Sequence, residues 1–317
     1  MSPRRDGRTA DGILQPLRTV ARAADGLYHR LPGGIRRRTG PLALRGRATL
    51  VAARHRRDLR GIEGFCWFVG YPRSGHSLVG SLLNAHPDVV IAHEADTLRW
   101  LAEGMRRREL FGLLLARDSW FGATGRTWTG YDYTVPGQWQ GRWRRLRVLG
   151  DKKGAESAAA LHRDPSLLRR LRACVRVPLR TVHVTRHPLD NVARMALRAA
   201  RDGAEPDLAA AVDHYLMLVS VVERTRHQLG ADEWIDIRHE DLIADPTAEL
   251  DRLCRFVGVE PSPDYLAACA SIVFDSPRRS RDEVTWTPAL IERLAAGLEG
   301  VPVLGGYDLG AHRPAER

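Results

Sequence analysis

The 317-residue sequence has few cysteines and no long apolar run. Its four cysteines, Cys66, Cys174, Cys254 and Cys269, lack metal-site or disulfide-framework spacing, which predicts free thiols in a reducing compartment. No segment approaches the roughly 18 apolar residues of a transmembrane helix, and the N-terminal residues lack the apolar core of a secretion signal. These absences predict a soluble, cytoplasmic protein.

Acidic residues are scarce in the first 60 positions, so the net charge of +11 comes from this part of the chain. Residues 1–60 hold 15 arginines and 4 acidic residues, whereas residues 61–317 hold 34 basic and 34 acidic residues. We therefore predict two parts, a basic and partly helical N-terminal extension over residues 1–60 and a single domain over residues 61–317. A cationic site within the domain must therefore come from a local cluster of basic residues, because the domain as a whole has no net charge.

The extension has an apolar helical face over residues 13–27, opposite Arg18, Arg22 and Arg30. Residues 11–30 could lie on an anionic membrane surface, as a peripheral contact, or dock on the protein's own core. Residues 31–48, which are rich in Gly, Pro and Arg, predict a flexible connector. Nucleic-acid binding is not expected, because this basic stretch has one aromatic residue and no recognised module.

Apolar strands and helical patterns alternate after the connector. The pattern predicts an α/β fold, a three-layer αβα arrangement with a central parallel sheet. The predicted strands cover residues 65–71, 89–91, 147–149, 179–185 and 234–237. Ligands bind such sheets at the C-terminal ends of the strands, which is where Arg73, Glu94, Asp151 and Arg186 fall.

The first strand runs into a turn of small residues that opens a helix, over residues 68–78. This arrangement directs backbone N–H groups and a helix N-terminus at one point, which favours a bound phosphate or sulfate. Gly70 and Gly75 frame four residues as in a nucleoside-triphosphatase loop, but His76 occupies the position of the required lysine. The cation is instead Arg73, which suits a donor less highly charged than ATP.

This loop and five later motifs resemble those of sulfotransferases that use 3′-phosphoadenosine 5′-phosphosulfate, tyrosylprotein sulfotransferases among them. The later motifs match the family in order between about residues 65 and 290. They are His86-Pro87-Asp88-Val89 with Ala92-His93-Glu94, then Gly150-Asp151-Lys152, Arg186-His187-Pro188-Leu189-Asp190, His239-Glu240-Asp241-Leu242, and Arg279-Ser280-Arg281 before Trp286. The resemblance implies a P-loop-like sulfotransferase fold.

The resemblance assigns catalytic roles, which the chemistry of sulfuryl transfer also requires. Glu94 is the expected base that removes the proton of the acceptor, with His93 and then His76 as competing candidates. Arg73 and Lys152 are the cations expected to stabilise the leaving oxygen; an ion pair with Asp151 is the alternative for Lys152. The donor is expected to lie on the loop at Arg73, Ser74, Gly75, His76 and Ser77.

The 3′-phosphate of the donor needs a cation of its own. Arg186 is the expected ligand, and Arg194 stands where many relatives have a serine. Arg279 and Arg281 resemble a late segment that closes over the nucleotide, with a solvated charge run as the alternative. Glu240 and Asp241 are expected to be structural.

The acceptor stays open among small molecules, glycans and peptides that offer a hydroxyl or amine. Residues 100–145 hold five of the eight tryptophans and form either an acceptor-binding wall or packing for an insertion. No metal is expected, because the sulfuryl group carries one charge. A kinase or nucleoside triphosphatase of related fold and a non-catalytic nucleotide-binding protein are the alternatives. The oligomeric state is not predicted.

Overall fold

A computed structural model of the chain describes residues 33–200 and 205–310, the first nine of them by backbone alone. The apolar helical face predicted over residues 13–27, and with it the membrane contact through residues 11–30, lies outside the described residues. The chain divides into a short unit up to Arg47 and a large unit from Ala48 onward. Our boundary at residue 60 stays a prediction.

The described residues form fourteen α-helices and seven strands. The helices are α1 Gly33–Arg54, α2 Arg56–Arg60, α3 His76–Asn84, α4 Thr97–Ala102, α5 Arg107–Ala123, α6 Gly154–Arg163, α7 Leu167–Val175, α8 Pro188–Ala199, α9 Leu208–Arg226, α10 His239–Ala244, α11 Pro246–Val257, α12 Pro263–Ala270, α13 Pro288–Gly297 and α14 Pro302–Gly305. The strands are β1 Gly64–Gly70, β2 Val89–His93, β3 Thr127–Trp128, β4 Tyr131–Asp132, β5 Val148–Lys152, β6 Leu179–Thr185 and β7 Trp234–Arg238.

Five strands form one parallel sheet in the order β2-β5-β1-β6-β7. The central strand β1 is buried along its whole length, as expected of a parallel strand with both faces covered. Its residues alternate between two apolar clusters, with Phe65 and Trp67 in one and Cys66 and Phe68 in the other. Helices cover both faces, and the predicted three-layer αβα arrangement is confirmed.

The helices α3 and α8, which belong to the two different apolar clusters, both bury most of their residues. α3 buries seven of its nine residues against the sheet, and α8 buries eight of twelve. α8 begins with Pro188, a residue that suits a helix start because its missing N–H would have no partner there. α11 ends at Gly258, whose φ of 92° is the left-handed conformation that glycine adopts readily.

The predicted connector over residues 31–48 is wrong from residue 33 onward, because α1 runs through it. Gly40 and Pro41 lie inside this helix, although such a pair usually ends one. Nearer its C-terminal end, the helix packs closely against α5. Ala48 and Ala52 are buried, and a Cβ on Gly112 of α5 would lie 1.9 Å from the Ala48 carbonyl oxygen.

The region over residues 100–145 is more regular than its sequence pattern indicates. It contains the seventeen-residue α5 and the short antiparallel pair β3–β4. In the part of the chain that the structure describes, none of the helices combines the length and the apolar character needed to cross a membrane.

Candidate active site

The loop over residues 71–75 joins β1 to α3 and has a strained, compact backbone. Arg73 (φ 67°) and Gly75 (φ 100°) both adopt left-handed conformations. A Cβ on Gly75 would lie 2.4 Å from Cδ2 of His239, so no larger residue fits without movement. The Ser74 hydroxyl donates to the Tyr71 carbonyl at 3.1 Å and closes the turn. The predicted strand–loop–helix arrangement, which suits an anion, is therefore present.

Glu94 lies beside this loop, between two lysines. It follows β2, and its backbone N–H donates to the carbonyl of Lys152 at the end of the neighbouring strand β5 (3.1 Å). The Lys152 ammonium donates to Oε1 of Glu94, and the Lys153 Nζ lies 2.6 Å from Oε2. Lys152 also donates to the Ser77 hydroxyl, in the first turn of α3, at 2.9 Å. The structure thus brings the predicted base and cation together.

These contacts determine the charges of the site. Burial alone would raise the pKa of Glu94, but the charge of Lys152, with hydrogen bonds from both lysines, lowers it to about 2. Burial lowers the pKa of Lys152, and Glu94 opposes that change. Burial, with the nearby charge of Lys152, lowers the pKa of His76 to about 3 and of His93 to about 2. At neutral pH, Glu94 is therefore an anion and both histidines are neutral.

The alternative partner predicted for Lys152, Asp151, is occupied elsewhere. Its two carboxylate oxygens accept the backbone N–H groups of Ala95 and Thr97, at 3.0 and 2.8 Å. Burial raises the pKa of Asp151 to about 6, although these hydrogen bonds oppose the shift. Asp151 holds the backbone that follows Glu94, whereas Lys152 faces Glu94 itself.

His93, the competing base, is enclosed by aromatic rings. Its ring stacks on Phe121 at 4.0 Å between centroids and meets the edge of Trp128 at 5.1 Å. Its Nε2 lies 3.4 Å from the Lys152 ammonium. Tyr133 approaches the same ring at 6.3 Å. Part of the aromatic-rich region thus walls the site, while other members pack elsewhere, as Trp143 does against His55.

Arg186 lies at the end of β6 and is 7% exposed. One of its terminal nitrogens donates to the Arg278 carbonyl, whereas its buried Nε has no partner in the described part of the chain. Burial lowers the pKa of Arg186, and the charges of Asp190 and Glu240 oppose that effect. Glu240 accepts the backbone N–H of His187 at 2.9 Å, so it anchors the turn that carries Arg186. This agrees with a structural role for Glu240.

The other predicted arginines differ in their surroundings. Arg281 is bound to Asp190 through its backbone N–H (2.8 Å) and its guanidinium (2.9 Å). Arg279 is exposed and pairs with Asp282 at 3.0 Å. Arg194 lies on α8, and its charge contributes to lowering the pKa values of both Arg186 and Arg73, so it is near both.

Sequence reasoning missed three residues of this site. Asn191 donates from its side chain to the Pro72 carbonyl at 2.7 Å and ties α8 to the loop. His239 packs against Gly75 and has a buried Nδ1 without a partner among the described residues. Lys153 could have been found, because Lys152 and Lys153 are the chain's only lysines among 49 basic residues. His239 opens the His239-Glu240-Asp241-Leu242 motif, which by itself assigns His239 no role, whereas Asn191 has no comparable sequence signal.

Several solved structures that are similar to this chain are described as sulfotransferases. The sulfotransferase domain from the curacin biosynthetic pathway is 16% identical (TM-score 0.48), over 78% of this chain and 99% of its own. Sulfotransferase STF9 from Mycobacterium avium is 13% identical (TM-score 0.46), over 86% and 87%. Mouse sulfotransferase SULT7A1, solved with PAP, is 14% identical (TM-score 0.43), over 77% and 89%. None of the curated proteins matches the chain by sequence.

The sequence itself matches a family model. The model described as "Sulfotransferase family" aligns with residues 67–264, which is more than half of the chain. The aligned segment begins within β1, just before the loop over residues 71–75, and contains Glu94, both lysines and Arg186. The chain belongs to the sulfotransferase family, and the protein is an enzyme of that class.

Proposed function

We propose that this enzyme transfers the sulfuryl group of 3′-phosphoadenosine 5′-phosphosulfate to a hydroxyl or amine of an acceptor. The donor supplies an activated sulfuryl group on a phosphate leaving group. The protein must hold the donor, stabilise charge on the leaving oxygen and accept the acceptor's proton. Each requirement has a matching group at the C-terminal edge of the sheet.

The loop supplies the donor site. Glycine is needed at position 75 because a Cβ there would lie 2.4 Å from Cδ2 of His239, so only glycine keeps this compact turn. The backbone of residues 74–77, with Arg73, would hold the phosphosulfate end. Arg73 is half-buried and its pKa is lowered by burial and by the charges of Arg198 and Arg194. An anion placed among these cations would relieve their mutual repulsion.

The second phosphate would bind at Arg186. Its buried Nε is a donor without a partner in the described residues, and such a group usually has a ligand or water bound to it. Arg194 would add a second cation to this subsite. Arg281, which is bound to Asp190, would hold residues 278–281 (the late segment) in place. Arg279 would contact the nucleotide when this exposed segment closes.

Lys152 and Glu94 carry the chemistry in this proposal. Lys152 would stabilise the charge that develops on the leaving oxygen, and Glu94 would accept the proton of the acceptor. Both cannot happen while Lys152 holds Glu94, because that contact keeps the carboxylate a weak base. Movement of Lys152 toward the donor, with Lys153 still on the other oxygen, would leave Glu94 more basic when the acceptor is bound.

The contact between Glu94 and Lys152 beside the loop is the single observation on which the proposal depends. Replacement of Glu94 by Gln preserves the shape and removes the base. We expect kcat for sulfuryl transfer to fall by about 10²-fold or more, while binding of adenosine 3′,5′-bisphosphate, measured by calorimetry, is retained. Unchanged turnover would show that Glu94 is not the base.

A matched control is Glu156→Gln, which removes the exposed carboxylate 3.5 Å from Lys153. This variant should keep turnover within about threefold, as expected for an exposed ion pair. The same assay separates the remaining alternatives. A kinase or nucleoside triphosphatase would need magnesium for turnover, so loss of activity with a chelator would favour it. A non-catalytic protein would bind the bisphosphate and transfer nothing.

The acceptor would approach along the aromatic wall. The ring of His93, next to Glu94 in the chain, contacts the rings of Trp128 and Tyr133. Flat apolar faces of this kind suit a phenol, a sugar or a tyrosine side chain, so small molecules, glycans and peptides all stay candidates. Incubation with radiosulfate-labelled donor and a cell extract would identify the labelled class.

A further inference from the structure

A basic recess lies near the N-terminal ends of the sheet strands, whereas the candidate active site lies near their C-terminal ends. It forms between the end of α4, the start of α5 and the end of α7, and its volume is about 460 Å³. α7 ends at Val175, four residues before β6 begins at Leu179, so this recess adjoins the N-terminal end of that strand. The candidate site lies at the C-terminal strand ends.

Arginines dominate the lining of this recess. It has nine lining residues, and five of them are arginines while none is acidic, namely Leu101, Met105, Arg106, Arg107, Arg108, Arg170, Ala173, Cys174 and Arg176. Among the described residues, one of the five arginines has an ion-pair partner, since Arg170 lies 3.6 Å from Asp164. The charge of the lining is therefore largely uncompensated.

Two of the arginines are built into the walls. Arg107 donates through Nε to the Val175 carbonyl at 2.8 Å, and its guanidinium lies over the ring of Phe111. Arg170 donates to the Leu101 carbonyl at 2.7 Å. Each guanidinium has five N–H donors, so these contacts leave donors on both for a ligand. These cross-links hold the three elements together around the recess.

Two further arginines are less constrained. In the described ranges, 33–200 and 205–310, the side chain of Arg108 has no hydrogen bond or ion pair, and that of Arg176 reaches only the nearby Ala173 carbonyl, at 3.4 Å. The charge of Arg176 contributes to lowering the pKa of Arg107, after burial, which places these two cations near each other. Clustered arginines of this kind favour phosphate and sulfate groups.

The base of the recess is apolar. Leu101 and Met105 are 5% and 3% exposed, so they sit at its floor and do not project from the surface. A recess of this size matches small-molecule sites, which combine an apolar lining with a few polar groups. A membrane contact would instead require large apolar side chains that protrude.

We propose that this recess binds a small molecule in which a phosphate or sulfate monoester is joined to an apolar group. The guanidiniums of Arg108 and Arg176, with free donors of Arg107 and Arg170, hold the anionic group. The apolar part lies over Leu101 and Met105. This site is independent of the proposed sulfuryl transfer, because it shares no residue with the candidate active site.

Cys174 provides a built-in reporter for this proposal. It lines the recess and is partly exposed, whereas Cys66, Cys254 and Cys269 are buried. A neutral alkylating reagent such as iodoacetamide should therefore modify Cys174 first, and Cys174→Ser should remove the fast reaction. In the full chain, octyl phosphate at about ten times its Kd should slow this reaction about tenfold.

Paired variants test the arginines. Arg108→Gln with Arg176→Asn should abolish protection by octyl phosphate; asparagine suits the left-handed backbone of residue 176 (φ 54°). Arg163→Gln with Arg169→Gln removes the same charge from exposed positions outside the recess and should keep protection. Arg108→Gln alone, which breaks no described contact, should weaken protection partly.

Each remaining outcome is decisive. Inorganic phosphate should protect Cys174 more weakly than octyl phosphate, and octanol should not protect it. Equal protection by octanol, or protection that survives in the Arg108→Gln/Arg176→Asn variant, would overturn the proposal. Protection only by vesicles of phosphatidylglycerol, with none by octyl phosphate, would replace it with a membrane contact.

Discussion

The use of lysine distinguishes the candidate active site at the scale of single residues. Arginine fills every other basic position, and both lysines lie on the two oxygens of Glu94. Lysine carries a compact ammonium whose pKa shifts readily on burial, whereas arginine stays charged. A cation that must release a carboxylate during a reaction therefore suits lysine.

Lys153 should position Glu94, and Lys153→Gln tests this. The change removes the partner of Oε2, so the pKa of Glu94 should rise from about 2 and the acidic limb of the pH–rate profile should move to higher pH. Loss of a charged hydrogen bond of about 2 kcal/mol should reduce kcat about 10- to 30-fold. Steady-state kinetics between pH 4 and 9 measures both effects.

The two lysines also allow a direct spectroscopic check. Protein labelled with ¹⁵N-lysine should give two side-chain ammonium signals, of which Lys153→Gln removes one. Addition of adenosine 3′,5′-bisphosphate should shift the remaining Lys152 signal if that lysine moves toward the nucleotide. If Lys153→Gln leaves the pH–rate profile unchanged, Lys153 contributes only to packing.

At the scale of elements, α8 connects three parts of the site. Asn191 of this helix holds the Pro72 carbonyl of the loop, and Asp190 holds Arg281 of the late segment. Arg186, just before the helix, donates to the Arg278 carbonyl in the same late segment. The position of one short helix therefore determines how the loop, the phosphate cation and the late segment lie together.

Asp190→Asn should loosen the late segment. Asp190 is buried, and the change removes its charge and one of the two oxygens that accept hydrogen bonds from Arg281, so that cation loses its ion-pair partner. We expect tryptic cleavage at residues 278–281 to accelerate at least about tenfold, since cleavage follows the population of the open form. The affinity for adenosine 3′,5′-bisphosphate should fall as well.

The control for this element is Asp251→Asn on α11. It makes the same chemical change in an exposed pair with Arg255, at 2.9 Å. Such pairs contribute at most about 1 kcal/mol, so cleavage at residues 278–281 should be unaffected. Equal cleavage in Asp190→Asn and the natural protein would show that other contacts hold the late segment.

At the scale of the whole molecule, three partly or fully buried histidines have lowered pKa values and should reduce stability in acid. Burial lowers the pKa of His76 to about 3, of His93 to about 2 and of His239 to about 4, from 6.5. The unfolded chain binds these three protons below pH 6.5, whereas the folded chain does not. Folded stability is therefore full above pH 6.5 and is lost as pH falls toward about 4.

Asp151 acts in the opposite direction. Its folded pKa of about 6 exceeds its ordinary value of 3.8, so between these values the folded chain holds one proton more. For these four groups the net difference is two protons, so together they should lower the free energy of unfolding by about 3 kcal/mol per pH unit near pH 5. Urea unfolding at pH 7, 6 and 5 measures this.

A variant isolates one histidine of the set. His76→Asn should reduce the slope near pH 5 by about 1.4 kcal/mol per pH unit, the contribution of one proton. A free energy of unfolding that stays constant or rises as the pH falls from 6.5 to 4.5 would contradict the prediction that these histidines are neutral in the folded chain.

Local patterns made much of the fold predictable. The five sheet strands, the loop before α3 and the ends of α11 at Pro246 and Gly258 all follow from signals within a few residues. The run of α1 through Gly40 and Pro41 was not predictable, because the local signal of this pair favours the end of a helix. The helix α5 was not predicted, because the irregularly spaced aromatic residues of this region hide the periodicity of its apolar positions.

The sequence by itself determined a sulfotransferase-like loop, the order of strands and helices and the kinds of residue at the strand ends. Only the tertiary structure decided which of them meet. Strand β2 pairs with β5 and not with its neighbour in sequence, β1, so Glu94 meets lysines 58 and 59 residues away. Pairing between distant strands depends on the whole core that forms around them, because hydrogen bonds of a parallel sheet carry no local signal.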